Sequence, residues 1–192
     1  MNEQITLTTD RLILRPWIRD DLETFARMNA DFRVMEYFPS VKSFDESREE
    51  YNRIVNGFEK YGWGLWAVSV VNGPGFIGFI GLNHVNFDAH FTPAVEIGWR
   101  ILFEEWRKGY ATEGAIASLK FGFGILKLKE VVSFTAVQNM RSRAVMERIG
   151  MHHDIEGDFD HSKLPEGHPL RRHVLYRVNA MDWVGQSSPG GI

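Results

Sequence analysis

Residues 94–114 constrain the fold more than any other part of the chain, because they combine a strand, a loop and a helix start. The first segment is rich in β-branched and aromatic residues and carries one carboxylate, Glu96, in its middle. Gly109 stands where a helical pattern begins, and a helix start exposes unpaired amides at the positive end of the helix dipole. Gly109 has no Cβ to keep a ligand away, and Arg107 and Lys108 add positive charge. The stretch therefore predicts a phosphate or pyrophosphate site beside Glu96.

Hydrophobic periodicity and turn residues divide the rest of the chain into strands and helices. Strands are predicted at 7–15, 65–71, 76–85, 94–101, 129–137, 151–159 and 172–183, and helices at 20–28, 43–58, 112–127 and 139–149. The turn at 72–75 predicts that its two flanking strands form a hairpin. This order indicates an α+β fold with one mixed, mostly antiparallel sheet of about seven strands, flanked by helices.

Composition limits the classes of function. The chain contains no cysteine, which excludes disulfides, thiolate metal sites and a cysteine nucleophile, and which fits a cytoplasmic location. The net charge of −3 argues against a nucleic-acid binder, and no apolar run is long enough to cross a membrane. We expect one domain over residues 1–184, followed by a flexible tail at 185–192.

A second polar group follows the predicted strand at 129–137. Asn139 and Ser142 stand where that strand joins the next helix. Strand–turn–helix units of this kind bring a loop, a strand end and a helix start to one crevice. We therefore expect these two side chains to face the phosphate-binding turn.

At this point the chain resembles a known family, the GNAT superfamily of N-acetyltransferases, in its RimJ/RimL-like branch. The matching segments are 9–15 (TDRLILR), 78–81 (GFIG), 96–99 (EIGW), 109–113 (GYATE) and 139–151. Each segment is a weak signal by itself, and their order and spacing over most of residues 7–183 carry the resemblance. In the family's R/Q-x-x-G-x-G/A motif, Gly109 and Ala111 match the fourth and sixth positions, whereas Trp106 replaces the first residue. Backbone amides make most phosphate contacts, so this departure is expected to be tolerated.

The resemblance implies a three-layer fold with a cofactor cleft where the fourth strand splays from the fifth. It implies acetyl-CoA as co-substrate and no metal. The pantetheine arm would pair with the fourth strand and the pyrophosphate would lie on the turn. The cofactor-binding residues would be Ile97, Gly98, Trp99, Arg100, Ile101, Arg107, Lys108, Gly109, Tyr110, Ala111, Thr112 and Asn139.

Two residues would carry the chemistry. Glu96 would act as the general base, because a buried carboxylate has a raised pKa that suits proton transfer near neutral pH. Ser142 would donate a hydrogen bond or proton to the departing thiolate, a role that a tyrosine fills in many GNAT proteins. Both residues also have a structural interpretation: Glu96 as a carboxylate paired with an arginine or with amides, and Ser142 as a helix-start hydroxyl.

The acceptor is expected to be a primary amine, either a small molecule or a protein N-terminus. Tyr37, Phe38, Trp66 and His84 are candidates for the acceptor site, with His84 as a second possible base, although aromatic residues more often fill a core. Three further histidines, at 161, 168 and 173, match no familiar zinc spacing and are assigned to a loop edging that site. The alternative function is an acyl-CoA-binding sensor with little turnover, and the chain is expected to be a monomer or homodimer.

Overall fold

The computed structural model describes residues 5–183, and within that range one eight-stranded sheet carries helices on both faces. The strands are β1 (Leu7–Thr8), β2 (Leu12–Arg15), β3 (Leu65–Val70), β4 (Gly78–His84), β5 (Val95–Ile101), β6 (Glu130–Ala136), β7 (His152–Asp160) and β8 (Arg172–Asn179). The helices are α1 (Asp21–Ala30), α2 (Phe44–Tyr61), α3 (Tyr110–Gly124) and α4 (Met140–Arg148). The tail predicted at 185–192 lies outside the described residues.

The sheet has the order β1-β2-β3-β4-β5-β6-β8-β7, and β5 and β6 are its one parallel pair within residues 5–183. The predicted mixed, mostly antiparallel sheet is confirmed. It has one strand more than expected because the segment predicted as a single strand at 7–15 folds back on itself. The Thr9 amide donates to the Leu12 carbonyl at 2.9 Å, so that β1 and β2 form a tight antiparallel pair.

Successive side chains of the central strands point to opposite faces of the sheet, and each face carries its own layer of helices. Phe79 packs edge-on against Phe25 of α1 at 6.1 Å, while the next residue, Ile80, contacts α3 at Gly114 on the other face. Successive side chains in a strand point to opposite faces, so one face of β4 meets α1 and α2 and the other meets α3. Arg100 on β5 also faces α1, where its Nη1 donates to Asn29 Oδ1 at 2.6 Å.

Helix boundaries follow local capping chemistry. Ser43 and Glu46 form the predicted capping box at the start of α2, with Ser43 Oγ accepting from the Glu46 amide at 3.3 Å. α3 begins at Tyr110, two residues before the predicted start, because Gly109 already serves as its N-cap with φ of 83°. The helix therefore starts directly at the glycine of the phosphate-type turn.

Strands β5 and β6 share only a short contact before they separate. Glu96 and Val132 are their one pair of register partners, and Ser133 Oγ donates to the Ile97 carbonyl at 2.9 Å. β6 pairs with β8 from Glu130 to Ala136, whereas β5 stays paired with β4 up to Ile101 and leaves its edge toward β6 open after the Glu96–Val132 contact. The sequence predicted a splay between its fourth and fifth strands, at 94–101 and 129–137. These two strands are β5 and β6 of the structure, and the splay lies between them.

Candidate active site

A cleft of about 1030 Å³ opens where β5 and β6 separate. Its wall combines β5, the turn before α3, the start of α4 and the segments 34–42 and 161–164. Most of the residues predicted for the site line it: Tyr37, Phe38, Glu96, Ile97, Gly98, Trp99, Arg100, Ile101, Arg107, Gly109, Tyr110, Ala111, Thr112, Asn139 and Ser142. The fold thus brings three separate sequence segments to one cavity.

The turn at the start of α3 is built to receive an anion. Arg107 and Gly109 both have positive φ, 64° and 83°, which turns the backbone sharply into the helix. The first-turn amides of Tyr110, Ala111 and Thr112 have no carbonyl partner within the helix, because the first intrahelical bond is donated by Glu113 to the Gly109 carbonyl at 3.0 Å. These amides lie at the positive end of the helix dipole and line the cleft.

Arg11 holds this turn from the outside, a contact that the sequence did not assign. Its Nε donates to Glu113 Oε2 at 2.7 Å, and its Nη1 donates to the Lys108 carbonyl at 3.0 Å. Thr9 Oγ1 also donates to Glu113 at 2.6 Å. Two of the segments that carry the resemblance, 9–15 and 109–113, are therefore joined in space. Arg11 also neutralises a carboxylate that would otherwise oppose an anion at the helix start.

Trp106, at the first position of the phosphate motif, closes the loop before the turn. Its Nε1 donates to the Ile101 carbonyl at 2.8 Å, and the Arg141 guanidinium lies 4.8 Å from its ring centroid. The side chain thus bridges the end of β5 and the start of α4. A large aromatic residue at this position supports the turn through packing and one hydrogen bond.

The open edge of β5 exposes backbone groups to the cleft. The carbonyls of Ile97 and Ile101 both point toward the side vacated by β6, since each accepts a side-chain hydrogen bond there. In a strand, every second residue directs its N–H and C=O groups to the same side, so those of Trp99 also face the opening. An extended chain in the cleft can pair with Trp99 as an added strand would.

Glu96 faces the cleft from the middle of β5 without a compensating partner. A Cβ built on Gly98 would lie 3.8 Å from Glu96 Oε1, so the carboxylate sits over the strand at the point of separation. Burial among apolar groups raises the pKa of Glu96 to about 8, and the positive charge of Lys163 only partly opposes this. No hydrogen bond from the described residues contributes to its pKa. The structural interpretation, a carboxylate paired with arginine or with amides, is therefore not the arrangement found.

Asn139 and Ser142 form the opposite wall through a local network. Asn139 Oδ1 accepts from the Ser142 amide at 3.2 Å and so caps α4. Asn139 Nδ2 donates to Thr135 Oγ1 at 2.9 Å and to Ser142 Oγ at 3.1 Å. Because Ser142 Oγ accepts from the asparagine, its own hydroxyl hydrogen remains to donate to a group in the cleft.

Tyr37 and Phe38, which were predicted for the acceptor site, line the cleft. Arg141 pairs with Glu36 and lies 5.4 Å from the Tyr37 ring centroid, which ties the start of α4 to the segment after α1. The Phe38 ring covers the Arg100 guanidinium at 4.3 Å. Both aromatic residues are therefore held by cations that belong to the cleft itself.

Three of the predicted site residues lie elsewhere. Trp66 is fully buried, donates from Nε1 to the Ile5 carbonyl at 2.7 Å and belongs to the core, so its assignment to the acceptor pocket is wrong. His84 pairs in register with Val95, one residue from Glu96, and therefore points to the opposite face, where it contacts Tyr61.

Lys108 lies in the turn but does not line the cleft: its side chain is exposed, and its ammonium is bound at 2.8 Å to Glu105, which does line the cleft. Any contribution of Lys108 to the turn thus comes from its backbone rather than from its side chain.

The cleft also contains Arg141 and Phe134, for which the sequence predicted no role in the site. Of the three histidines assigned to a loop edging the acceptor site, His161 and His173 line the cleft together with Lys163, whereas His168 does not. His173 lies on β8 and not in that loop. Within residues 5–183, no group of three or more His, Asp or Glu side chains is arranged to hold a metal ion. No helix in the same range is long and apolar enough to cross a membrane.

Three comparisons with known proteins, by family model, by sequence and by structure, support the resemblance to the GNAT superfamily. A family model described as an acetyltransferase (GNAT) domain matches residues 11–152. The "FsC-acetyl coenzyme A-N(2)-transacetylase" of Aspergillus fumigatus is 31% identical over 97% of this chain and 81% of its own length.

Solved structures share the fold. A GNAT-family acetyltransferase from Bacillus anthracis has a TM-score of 0.75 and 28% identity, with 92% of this chain and 99% of that chain covered. A Vibrio cholerae spermidine N-acetyltransferase, determined with CoA and spermine, has a TM-score of 0.71 at 22% identity, covering 91% of this chain and 99% of that one, and shows the fold alone. Together with the cleft geometry, these similarities place the chain in the GNAT acetyltransferase family, whose members use acetyl-CoA, as an acyltransferase.

Proposed function

We propose that this enzyme transfers the acetyl group of acetyl-CoA to a primary amine by direct attack in a ternary complex. The observation that carries the proposal is the convergence of an uncompensated carboxylate, Glu96, and a free hydroxyl, Ser142, on the cleft that ends at the αL turn. These are the groups needed to remove a proton from an amine and to stabilise a leaving thiolate.

The residues present fit acetyl-CoA. Gly109 has φ of 83°, a conformation that residues with a side chain rarely adopt, and the turn that it forms leaves the amides of Tyr110, Ala111 and Thr112 open to a pyrophosphate. The unpaired backbone of Trp99 would bind the pantetheine arm, and Asn139 would orient the loop beside it. When bound, the thioester supplies an activated acetyl carbon, and an amide on the cleft-facing edge of β5 near Ile97 would bind its oxygen as negative charge develops.

Glu96 would take the proton of the acceptor ammonium. A pKa of about 8 lies close to physiological pH, which makes the carboxylate both available and basic enough for the transfer. The amine nitrogen then bonds to the acetyl carbon as the carbon–sulfur bond breaks, and the second proton that the nitrogen loses passes to the leaving sulfur, so that CoA departs as the thiol. The hydroxyl of Ser142 would donate a hydrogen bond to the sulfur that leaves.

The acceptor is proposed to be an amine of a small molecule. The Aspergillus relative carries a name that describes an N(2)-transacetylase, and it covers nearly all of this chain. The cleft floor also offers charged groups, Lys42, Glu50 and Arg100, that can position polar substituents of a small molecule. A protein N-terminus is the alternative acceptor.

The RimJ/RimL-like branch and a cytoplasmic location belong to the same proposal. The branch rests on the segment 9–15, which Arg11 joins to the turn. The cytoplasmic location rests on the lack of cysteine, which suits a reducing compartment. A monomer or homodimer stays a prediction.

The experiment is a panel of amines and peptides with CoA release as the readout. We expect acetyl-CoA-dependent thiol release with a subset of small amines, with the acetylated amine identified by mass spectrometry. CoA binding without thiol release across a broad panel would indicate an acyl-CoA sensor. Release only with peptides bearing a free N-terminus would replace the small-molecule acceptor by a protein.

A further inference from the structure

The guanidinium of Arg100 is buried on the floor of the cleft, and one of its edges has no partner. The residue is only 7% exposed, yet it lines the cleft. Both hydrogen bonds of the side chain are donated by Nη1, to Asn29 Oδ1 at 2.6 Å and to Glu50 Oε2 at 3.3 Å. Nε is enclosed and donates to no group within residues 5–183. A buried cationic N–H without an acceptor is unfavourable, so this edge lacks an acceptor that a ligand can provide.

The free edge has the geometry that binds a carboxylate. Nε–H and one Nη2–H point in the same direction from the planar guanidinium, so the two oxygens of one carboxylate can accept from both. Nη2 has no partner within residues 5–183 either, and unlike Nε it is not enclosed. The rings of Phe38 and Phe79 cover the guanidinium, at 4.3 Å and 5.1 Å from Cζ. The rings and the two Nη1 bonds therefore hold the free edge in one orientation before a ligand binds.

Two cations share one carboxylate at this end of the cleft. Arg100 and Lys42 both bind Glu50, at 3.3 Å and 2.5 Å. Burial would raise the pKa of Glu50, but the charges of Arg100 and Lys42 outweigh it and hold that pKa below its usual value, so Glu50 is ionised. Glu46 also lines the cleft, where its carboxylate accepts from the amide and the hydroxyl of Ser43 in the capping box of α2. A carboxylate from the substrate would balance the second cation.

Arg100 and Glu96 lie on the same face of β5, because they are four residues apart, a distance of roughly 13 Å along a strand. The Glu96 carboxylate leans toward Arg100, since a Cβ built on Gly98 would lie 3.8 Å from Oε1. The guanidinium instead reaches sideways over Phe79, which is opposite Arg100 on β4. The two charged groups are therefore about 10 Å apart. Hydrogen bonds of about 3 Å at both ends leave a gap of about 4 Å or more, which a chain of several carbons can fill.

We propose that Arg100 binds a carboxylate of the acceptor substrate and so holds its amine beside Glu96. The carboxylate accepts from Nη2 and Nε, and the carbon chain between the two groups lies over Gly98, where a Cβ would meet only Glu96 Oε1 within 4 Å. The substrate class is therefore an ω-amino acid, a primary amine with a carboxylate several carbons away, in preference to a simple alkylamine. This inference rests on the proposed acetyl transfer to an amine.

The test measures the preference for a carboxylate, which is the ratio of kcat/KM for 5-aminopentanoate to that for pentylamine. We expect the wild type to prefer 5-aminopentanoate about tenfold, both over pentylamine and over the uncharged 5-aminopentanamide. Arg100→Met should abolish the preference, because methionine fits between the aromatic rings but donates no hydrogen bond, and Glu50 keeps Lys42 as its partner. Arg100→Lys keeps the charge without the two-nitrogen edge and should reduce the preference to about threefold.

Arg53→Met is the matched control, because Arg53 is an exposed arginine of α2 outside the cleft lining, and it should leave the ratio unchanged. A wild type that treats the three amines alike would overturn the inference while leaving acetyl transfer in place. An unchanged ratio in either Arg100 variant would also overturn it. So would a rise in KM for acetyl-CoA as large as the loss with 5-aminopentanoate, because a structural role would then explain the loss.

A readout without turnover separates the inference from the proposed function. In calorimetric titrations of the protein saturated with CoA, 5-aminopentanoate should bind the wild type about tenfold more tightly than pentylamine. In Arg100→Met the two affinities should be equal. If no amine releases CoA, the proposed function fails, and these titrations alone decide whether Arg100 binds a carboxylate. Equal affinities in the wild type would refute it.

Discussion

The two halves of the cleft are built in different ways. The cofactor half consists of two short continuous segments, the turn at 106–112 and the start of α4, and much of its binding capacity comes from backbone amides. The acceptor half is assembled from side chains far apart in the sequence, including Phe38, Glu96, His161 and His173. In the proposed mechanism, local conformation thus determines how the phosphate is held, whereas tertiary packing determines which amine is accepted.

The largest expected effect belongs to the acceptor half, at Glu96. Glu96→Gln should lower kcat about 100-fold, because a glutamine side chain cannot take the proton of the amine. Wild-type kcat/KM should rise with pH toward an inflection near 8, where the carboxyl loses its proton. In the variant that inflection should vanish, and higher pH should restore part of the rate by supplying free amine. A pH series with Glu156→Gln, an exposed carboxylate on β7, as control makes the test. Unchanged kinetics would remove Glu96 from the mechanism.

The same pKa predicts a stability difference. Between pH 4.5 and about 8 the folded protein holds a proton on Glu96 that the unfolded chain has released, so stability falls as the pH rises through this window. Glu96→Gln should therefore raise the melting temperature at pH 8 and change it little at pH 4.5. The shift is expected to correspond to roughly 1–3 kcal/mol of unfolding free energy. A variant less stable than wild type at pH 8 would contradict the buried, raised-pKa carboxylate.

Gly109→Val tests the cofactor half. A branched side chain at φ of 83° is strained, and its Cβ would lie 3.3 Å from Arg11 Nη2, so the substitution would distort the turn that receives the pyrophosphate. We expect acetyl-CoA affinity to fall by about 100-fold in calorimetry. Gly57→Val is the matched control, since no atom lies within 4 Å of a Cβ there. Normal CoA binding by Gly109→Val would disprove the assignment of the turn.

The Ser142→Ala variant distinguishes an effect on turnover from an effect on acetyl-CoA binding in the cofactor half of the cleft. The variant loses the hydroxyl that Asn139 orients, while the amide of residue 142 can still cap α4 through Asn139 Oδ1. Turnover should slow about tenfold with KM for acetyl-CoA nearly unchanged. Ser162→Ala, an exposed serine, serves as control. If affinity falls instead, Ser142 binds the cofactor and does not assist thiolate departure.

Of these substitutions, Arg11→Ala is expected to have the smallest effect. It distinguishes two possible roles of one residue within the cofactor half of the cleft. Arg11→Ala should raise KM for acetyl-CoA roughly fivefold with little change in kcat, because Glu113 would then carry an uncompensated charge at the helix start. The double variant with Glu113→Gln should recover most of this loss in CoA titrations. A double variant as weak as Arg11→Ala would show that the arginine acts by holding the Lys108 carbonyl and not by neutralising charge.

Local patterns predicted much of the fold. The hairpin of β3 and β4, the capping box of α2 and the strand leading into the glycine turn all depend on neighbouring residues, and each is present. The strand predicted at 7–15 was wrong in one respect, since a backbone turn at Thr9 splits it. Periodicity alone cannot reveal such a turn when both arms have the same alternation.

The sequence alone determined the helices and strands of this protein, the phosphate-type turn and the two candidate catalytic residues, Glu96 and Ser142. It could do so because helix starts, glycine conformations and strand patterns are set by residues close together in the chain. Tertiary structure decided which side chains share the cavity. It removed Trp66 to the core and His84 to the opposite face, and it brought Arg141 and Phe134 into the cleft. A one-residue step along a strand reverses the face of a side chain, and the register that fixes this step depends on pairing between distant segments.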